Sequence, residues 1–283
     1  MADLLETLRD WSASGLRQHT VIGMVERTPF VPDDIRYRFG LVDRPQYAYG
    51  VRKAVELATC LGLAGVTVME FGVGAGGGLK ALARHAAYYA RRSGLEVRVV
   101  GFDSGAGLPE PADYRDLPYV WKQGQYPMQQ AELVKELGSS AELMLGDVRD
   151  TVPMFLEEQS TSLARLPLGF VSFDLDYHSS TTAAFEVFRA APDAALLPRV
   201  TSYFDDIITI VDAVGELAAV AEFNAEQKES SGERDSFLGR VNALRSHLPF
   251  DPPWADRIFE YHRFRHPDYG TYESTRDDPF WRP

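Results

Sequence analysis

Residues 66–71, 97–102, 169–173 and 200–204 are short apolar runs of strand length, and stretches with helical spacing separate them. Buried strands alternating with helices require a mostly parallel sheet covered on both faces, because a parallel crossover is long enough to hold a helix. Each run also ends in a distinctive way. The first opens into Gly72-Val73-Gly74-Ala75-Gly76-Gly77-Gly78, the second stops at Asp103, and the last two stop at the pairs Asp174/Asp176 and Asp205/Asp206. Ligands of open α/β sheets bind at the carboxyl ends of strands, so these residues form the candidate site.

The spacing predicts helices over residues 47–63, 79–92, 128–137, 152–159 and 181–190, and a short strand over 142–145 followed by Gly146-Asp147. Beyond residue 207 it predicts helices over 213–227 and 236–247, divided by the polar run 228–235. Period-two alternation at 258–264 predicts a late strand, and the tail aromatics Tyr269, Tyr272, Phe280 and Trp281 are expected to pack on the surface. Leu4, Leu5, Leu8 and Trp11 have helical spacing, and a polar, Pro-containing stretch follows them. Residues 1–45 therefore read as a helical cap, and 46–283 as one α/β domain with a helical and tail extension from about 212.

Composition excludes several partners. A net charge of −12 and a pI near 5.0 argue against nucleic acid, whose binding relies on clustered Lys and Arg. No apolar run approaches the roughly 20 residues needed to span a bilayer, which points away from a membrane and by elimination to a cytoplasmic protein. Cys60 is the single cysteine, set in an apolar helical pattern, so it is expected to pack in the core and there is no disulfide framework.

The residues themselves leave alternatives open. A glycine-rich turn from strand to helix lets backbone approach a ligand closely, and Gly72 and Gly74 lie at its start. Glu70 at its leading edge would repel a pyrophosphate and suits a cationic or hydroxyl-rich ligand. Asp103 either accepts hydrogen bonds from ribose hydroxyls or caps a turn. Asp147 either meets an adenine edge or caps the helix behind it. Asp174, Asp176, Asp205 and Asp206 would repel one another in a cleft without a cation or protons, and hard oxygen ligands favour Mg²⁺ or Ca²⁺ over zinc. His178 is either a base or a hydrogen-bonded structural residue.

The segments Glu70-Phe71-Gly72-Val73, Gly101-Phe102-Asp103-Ser104-Gly105-Ala106-Gly107-Leu108-Pro109-Glu110-Pro111, Asp150-Thr151-Val152-Pro153, Asp174-Leu175-Asp176 and Asp205-Asp206 resemble the macrocin O-methyltransferase family. The resemblance covers residues 47–207 and implies a Rossmann-like class I methyltransferase fold that uses S-adenosylmethionine and Mg²⁺ to methylate a sugar hydroxyl. It also implies that Glu70, Gly72 and Asp103 hold the cofactor with Ser104 nearby, that Asp174, Asp205 and Asp206 bind Mg²⁺, and that Asp176 is the general base. Gly105-Ala106 stands where the family has a bulkier and acidic pair. The expected partner is a small hydroxylated acceptor, and the helical extensions offer a surface for a homo-oligomer. Asp-x-Asp also marks metal-dependent glycosyltransferases, and a cofactor-binding subunit without turnover is a third reading.

Overall fold

The computed structural model describes residues 31–38, 40–207, 212–227, 229–230, 233–242, 244 and 252–271. Leu4, Leu5, Leu8, Trp11, Tyr272, Phe280 and Trp281 lie outside them. Seven strands form one sheet: β1 Gly65–Phe71, β2 Glu96–Asp103, β3 Glu142–Leu145, β4 Leu168–Phe173, β5 Leu196–Phe204, β6 Ser236–Arg240 and β7 Ile258–Arg263. Their order is β3-β2-β1-β4-β5-β7-β6. The first five are parallel, and β7 and β6 join antiparallel at the β5 side.

Every residue of β1 is buried, so its side chains divide by parity between two cores. Val66 and Val68 face helices α2 (Pro45–Cys60) and α3 (Gly77–Ser93), after a short α1 (Asp33–Arg38). Met69 and Phe71 face the opposite layer, formed by α4 (Val148–Glu158), α5 (His178–Ala184), α6 (Glu186–Arg189) and α7 (Gly215–Glu226). That second core is rich in rings. Register pairs Phe102 with Phe71, Phe71 with Phe173 and Phe173 with Phe204, and the rings stack at 4.7, 5.5 and 4.8 Å. Such pairs add about 0.5–1.5 kcal/mol each beyond burial. The residues after these four phenylalanines are Asp103, Gly72, Asp174 and Asp205, so the stack aligns the candidate site along one sheet edge.

Two expectations are corrected. The sequence at 236–247 reads as a helix, yet residues 236–240 form β6, because β7 offers a free edge and Ser236 and Leu238 alternate into the interior. From α7 the Asn224 amide donates to the Leu238 carbonyl and accepts its N–H at 2.8 and 2.9 Å, which covers part of the new edge. Cys60 is exposed: the buried face of α2 runs through Tyr47, Val51, Ala54, Val55 and Ala58, and Cys60 lies around the helix from it. Residues 243 and 245–247 of that predicted helix are outside the described set. No described helix is long and apolar enough to cross a membrane.

Candidate active site at the carboxyl edge of the sheet

The chain leaves β1 through Gly72, Gly74 and Gly76, all with positive φ. At Gly72, with φ of 84°, a Cβ would lie 1.7 Å from the Asp174 carbonyl oxygen, so the turn passes against the end of β4 in a way only glycine permits. Asp103 braces the turn from the next strand. Its Oδ2 accepts the N–H groups of Val73 and Gly74 at 2.9 and 2.8 Å, and Oδ1 accepts that of Gly105 at 2.6 Å.

Glu70 lies beneath the turn, buried, and does not line the cavity above it. Tyr47 donates to its Oε1 at 2.6 Å, and Ser172 in turn donates to the Tyr47 hydroxyl at 2.8 Å. Burial pushes the Glu70 carboxyl up to about 8, against the smaller opposing effect of the Tyr47 hydrogen bond. Its Oε2 has no hydrogen-bond partner among the described residues, the position for a carboxyl proton.

Beside the turn, Asp174, Asp205 and Asp206 each place a carboxylate oxygen within 4.8 Å of the others. Burial raises Asp174 to about 7, helped by repulsion from Asp205 and Asp206. Asp205 is fixed by the Tyr203 hydroxyl at 2.5 Å and by Arg257 Nη1 at 2.9 Å. Glu216, buried at the start of α7, accepts the Asp206 N–H at 3.0 Å, so a strand-end loop and a distant helix are pinned together. Asp176 has φ of 59°, a left-handed backbone that non-glycine residues seldom adopt. Its carboxyl is pushed up by burial first and then by Asp206, to which it hydrogen-bonds. The three crowded carboxylates of Asp174, Asp205 and Asp206 are all hard oxygen donors with no nitrogen or sulfur among them, a set that fits Mg²⁺ or Ca²⁺.

A cavity of about 540 Å³ joins the two regions, and its wall includes Gly72, Gly74, Asp103, Ser104, Asp147 and all four strand-end aspartates. Asp147, besides lining the cavity, caps α4 by accepting the Arg149 N–H at 2.9 Å. Ser104 donates to the Gly107 carbonyl at 2.8 Å. His178 is not brought in: it begins α5, is absent from the cavity wall, and its Nε2 meets Glu222 Oε2 at 2.8 Å. Sequence reading missed Arg44, Trp121 and Tyr126, which line the cavity, and Tyr47, Glu216 and Arg257, which hold its walls.

No family model matches this chain, and a search of curated proteins finds no significant relative. Solved structures do resemble it. The crystal structure of CalS11, a calicheamicin methyltransferase, superposes with a TM-score of 0.51 at 20% identity over 89% of this chain and 94% of that one. The structure of the O-methyltransferase NovP gives 0.50 at 14% identity over 86% and 95%. At these identities the likeness establishes the fold alone, a Rossmann-like α/β sheet like those of the two methyltransferase structures.

Proposed function

We propose that this protein is an S-adenosylmethionine-dependent O-methyltransferase acting on a hydroxyl of a sugar, glycoside or comparable small natural product, with Mg²⁺ as cofactor. The observation that carries the reading is the single cavity in which a strand-end acid, Asp103, and a glycine turn stand beside the carboxylate cluster. Asp103 is the residue for the ribose hydroxyls, Gly72 and Gly74 give the backbone approach, and Ser104 and Asp147 complete the nucleoside wall. Glu70 acts from below, fixed by the Tyr47 hydroxyl and packed so closely under Gly78 that a Cβ there would lie 1.8 Å from its Oε1. A volume of about 540 Å³ suits a nucleoside-sized ligand with a small acceptor beside it.

Asp174, Asp205 and Asp206 are the residues that would hold Mg²⁺, which when bound supplies Lewis-acid polarisation of an acceptor hydroxyl. The chain's own work is positional and acid–base. Asp176, set in its unusual backbone conformation at the cluster's edge, takes the hydroxyl proton. The oxygen's electron pair forms the new C–O bond while the methyl C–S bond breaks and its pair returns to sulfur, leaving S-adenosylhomocysteine. Holding oxygen and methyl carbon in line at near-attack distance supplies much of the acceleration. The NovP and CalS11 likenesses and the resemblance of the strand-end motifs to macrocin-type enzymes support the same chemistry.

Calorimetric titration of S-adenosylhomocysteine, with Mg²⁺ and then with chelator, tests the reading. Micromolar binding supports it. Absence of binding under both conditions sinks it, and binding of a nucleotide sugar instead would favour a glycosyltransferase.

A further inference from the structure

Resting on that reading, we infer that Arg44 receives the carboxylate of the cofactor's methionyl tail and so sets selectivity for the amino-acid end of S-adenosylmethionine. The cavity wall holds seven carboxylates and two arginines. Arg149 is already tied to Asp147. Arg44 makes no side-chain hydrogen bond or ion pair among the described residues; its guanidinium rests over the Tyr47 ring at 5.4 Å.

The backbone directs this cation to the glycine turn. Arg44 has φ of 48°, a left-handed conformation that is costly for a residue with a long side chain, directly before α2. One guanidinium nitrogen comes within 3.8 Å of where a Cβ on Gly77 would sit, at the first residue of α3. Glu70 and Asp174 are near enough for its charge to bear on theirs. Arg44 therefore lines the cavity that the turn and the acid cluster share, within reach of an amino-acid tail extending from a nucleoside held by Asp103.

The tail carries a carboxylate, an ammonium and a sulfonium. Its two cationic groups are welcome in a wall of carboxylates, whereas its carboxylate is repelled by every charged neighbour except the arginines. A planar guanidinium matches a carboxylate in paired hydrogen bonds, which a lysine ammonium does not reproduce.

The test compares S-adenosylmethionine with its decarboxylated form, which lacks only that carboxylate, against wild type, Arg44→Met and Arg44→Lys, each checked for an unchanged melting transition. Arg44→Met is expected to weaken S-adenosylmethionine about tenfold or more while leaving the decarboxylated ligand within about twofold, with Arg44→Lys between. Equal loss for both ligands, or no loss for either, overturns the role of Arg44 while wild-type binding keeps the methyltransferase reading. Wild type that binds neither ligand overturns both together. Should Arg44→Met not fold, the comparison is made on Arg44→Lys, where loss confined to S-adenosylmethionine supports the inference and parallel loss overturns it.

Discussion

The Tyr47 hydroxyl donates to Glu70 Oε1 over 2.6 Å, joining the first turn of α2 to the strand end beneath the glycine turn. Burial holds Glu70 at about 8 against an ordinary 4.5, so the folded protein keeps a proton that the unfolded chain has released. The resulting contribution to stability is complete below pH 4.5 and is lost as pH rises to about 8. Glu70→Gln, neutral throughout, is expected to flatten urea-unfolding stability across that window. Tyr47→Phe, which leaves Oε1 without its donor, is expected to cost about 1–3 kcal/mol. An unchanged pH slope in Glu70→Gln would refute the raised pKa.

His85 carries the opposite dependence. Its Nε2 meets the Asp43 carbonyl at 2.8 Å, which can only accept, so Nε2 bears the proton and Nδ1 accepts from the Tyr37 hydroxyl at 2.9 Å. That neutral tautomer is fully paired. Burial lowers the ring from 6.5 to about 4, so its contribution is complete above 6.5 and is lost as pH falls toward 4. The loss is on the order of 3 kcal/mol for wild type and absent in His85→Gln. Denaturant midpoints at several pH values measure it, and parallel curves for the two proteins would refute it.

The strand-helix alternation and the acids at strand ends were legible because both are local. A buried strand must be apolar along its length, and its exit to the ligand edge must be polar or glycine. What escaped was set by partners far along the chain. Residues 236–240 carry a spacing compatible with a helix, and only the β7 edge makes them a strand. Tyr47 and Glu70, or Asp206 and Glu216, meet because the topology folds them together, and no spacing announces that. His178 reads as a base from its proximity to Asp176 in sequence, but the start of α5 turns its ring to Glu222.

That rotation separates the two candidate bases experimentally. Asp176 lines the cavity with the metal-type cluster, and His178 does not. Asp176→Asn is expected to keep cofactor binding and lose about 10²- to 10⁴-fold in turnover, the usual worth of a positioned base. His178→Asn is expected to retain turnover and lose some stability through its Glu222 contact. Formation of S-adenosylhomocysteine with an accepted sugar measures both. Full activity in Asp176→Asn would remove Asp176 from the base role.

The carboxylate cluster makes a prediction whose sign depends on the ion. Asp174, Asp205 and Asp206 crowd within 4.8 Å, and burial and repulsion together disfavour the ionised forms of Asp174 and Asp206. In chelator at pH 8 the wild-type protein therefore carries uncompensated charge, and Asp206→Asn, which removes one charge at nearly constant volume, is expected to melt higher by about 2–4 °C. A divalent cation reverses the order. At 100 times its dissociation constant, Mg²⁺ should stabilise wild type by about 2.7 kcal/mol and the variant by much less, because one hard ligand has gone. Thermal unfolding of both proteins in chelator and across a Mg²⁺ titration reads the crossover. A wild-type transition that does not move with Mg²⁺ would leave the cluster a purely structural group of carboxylates, while a shift shared equally by the variant would place the ion elsewhere.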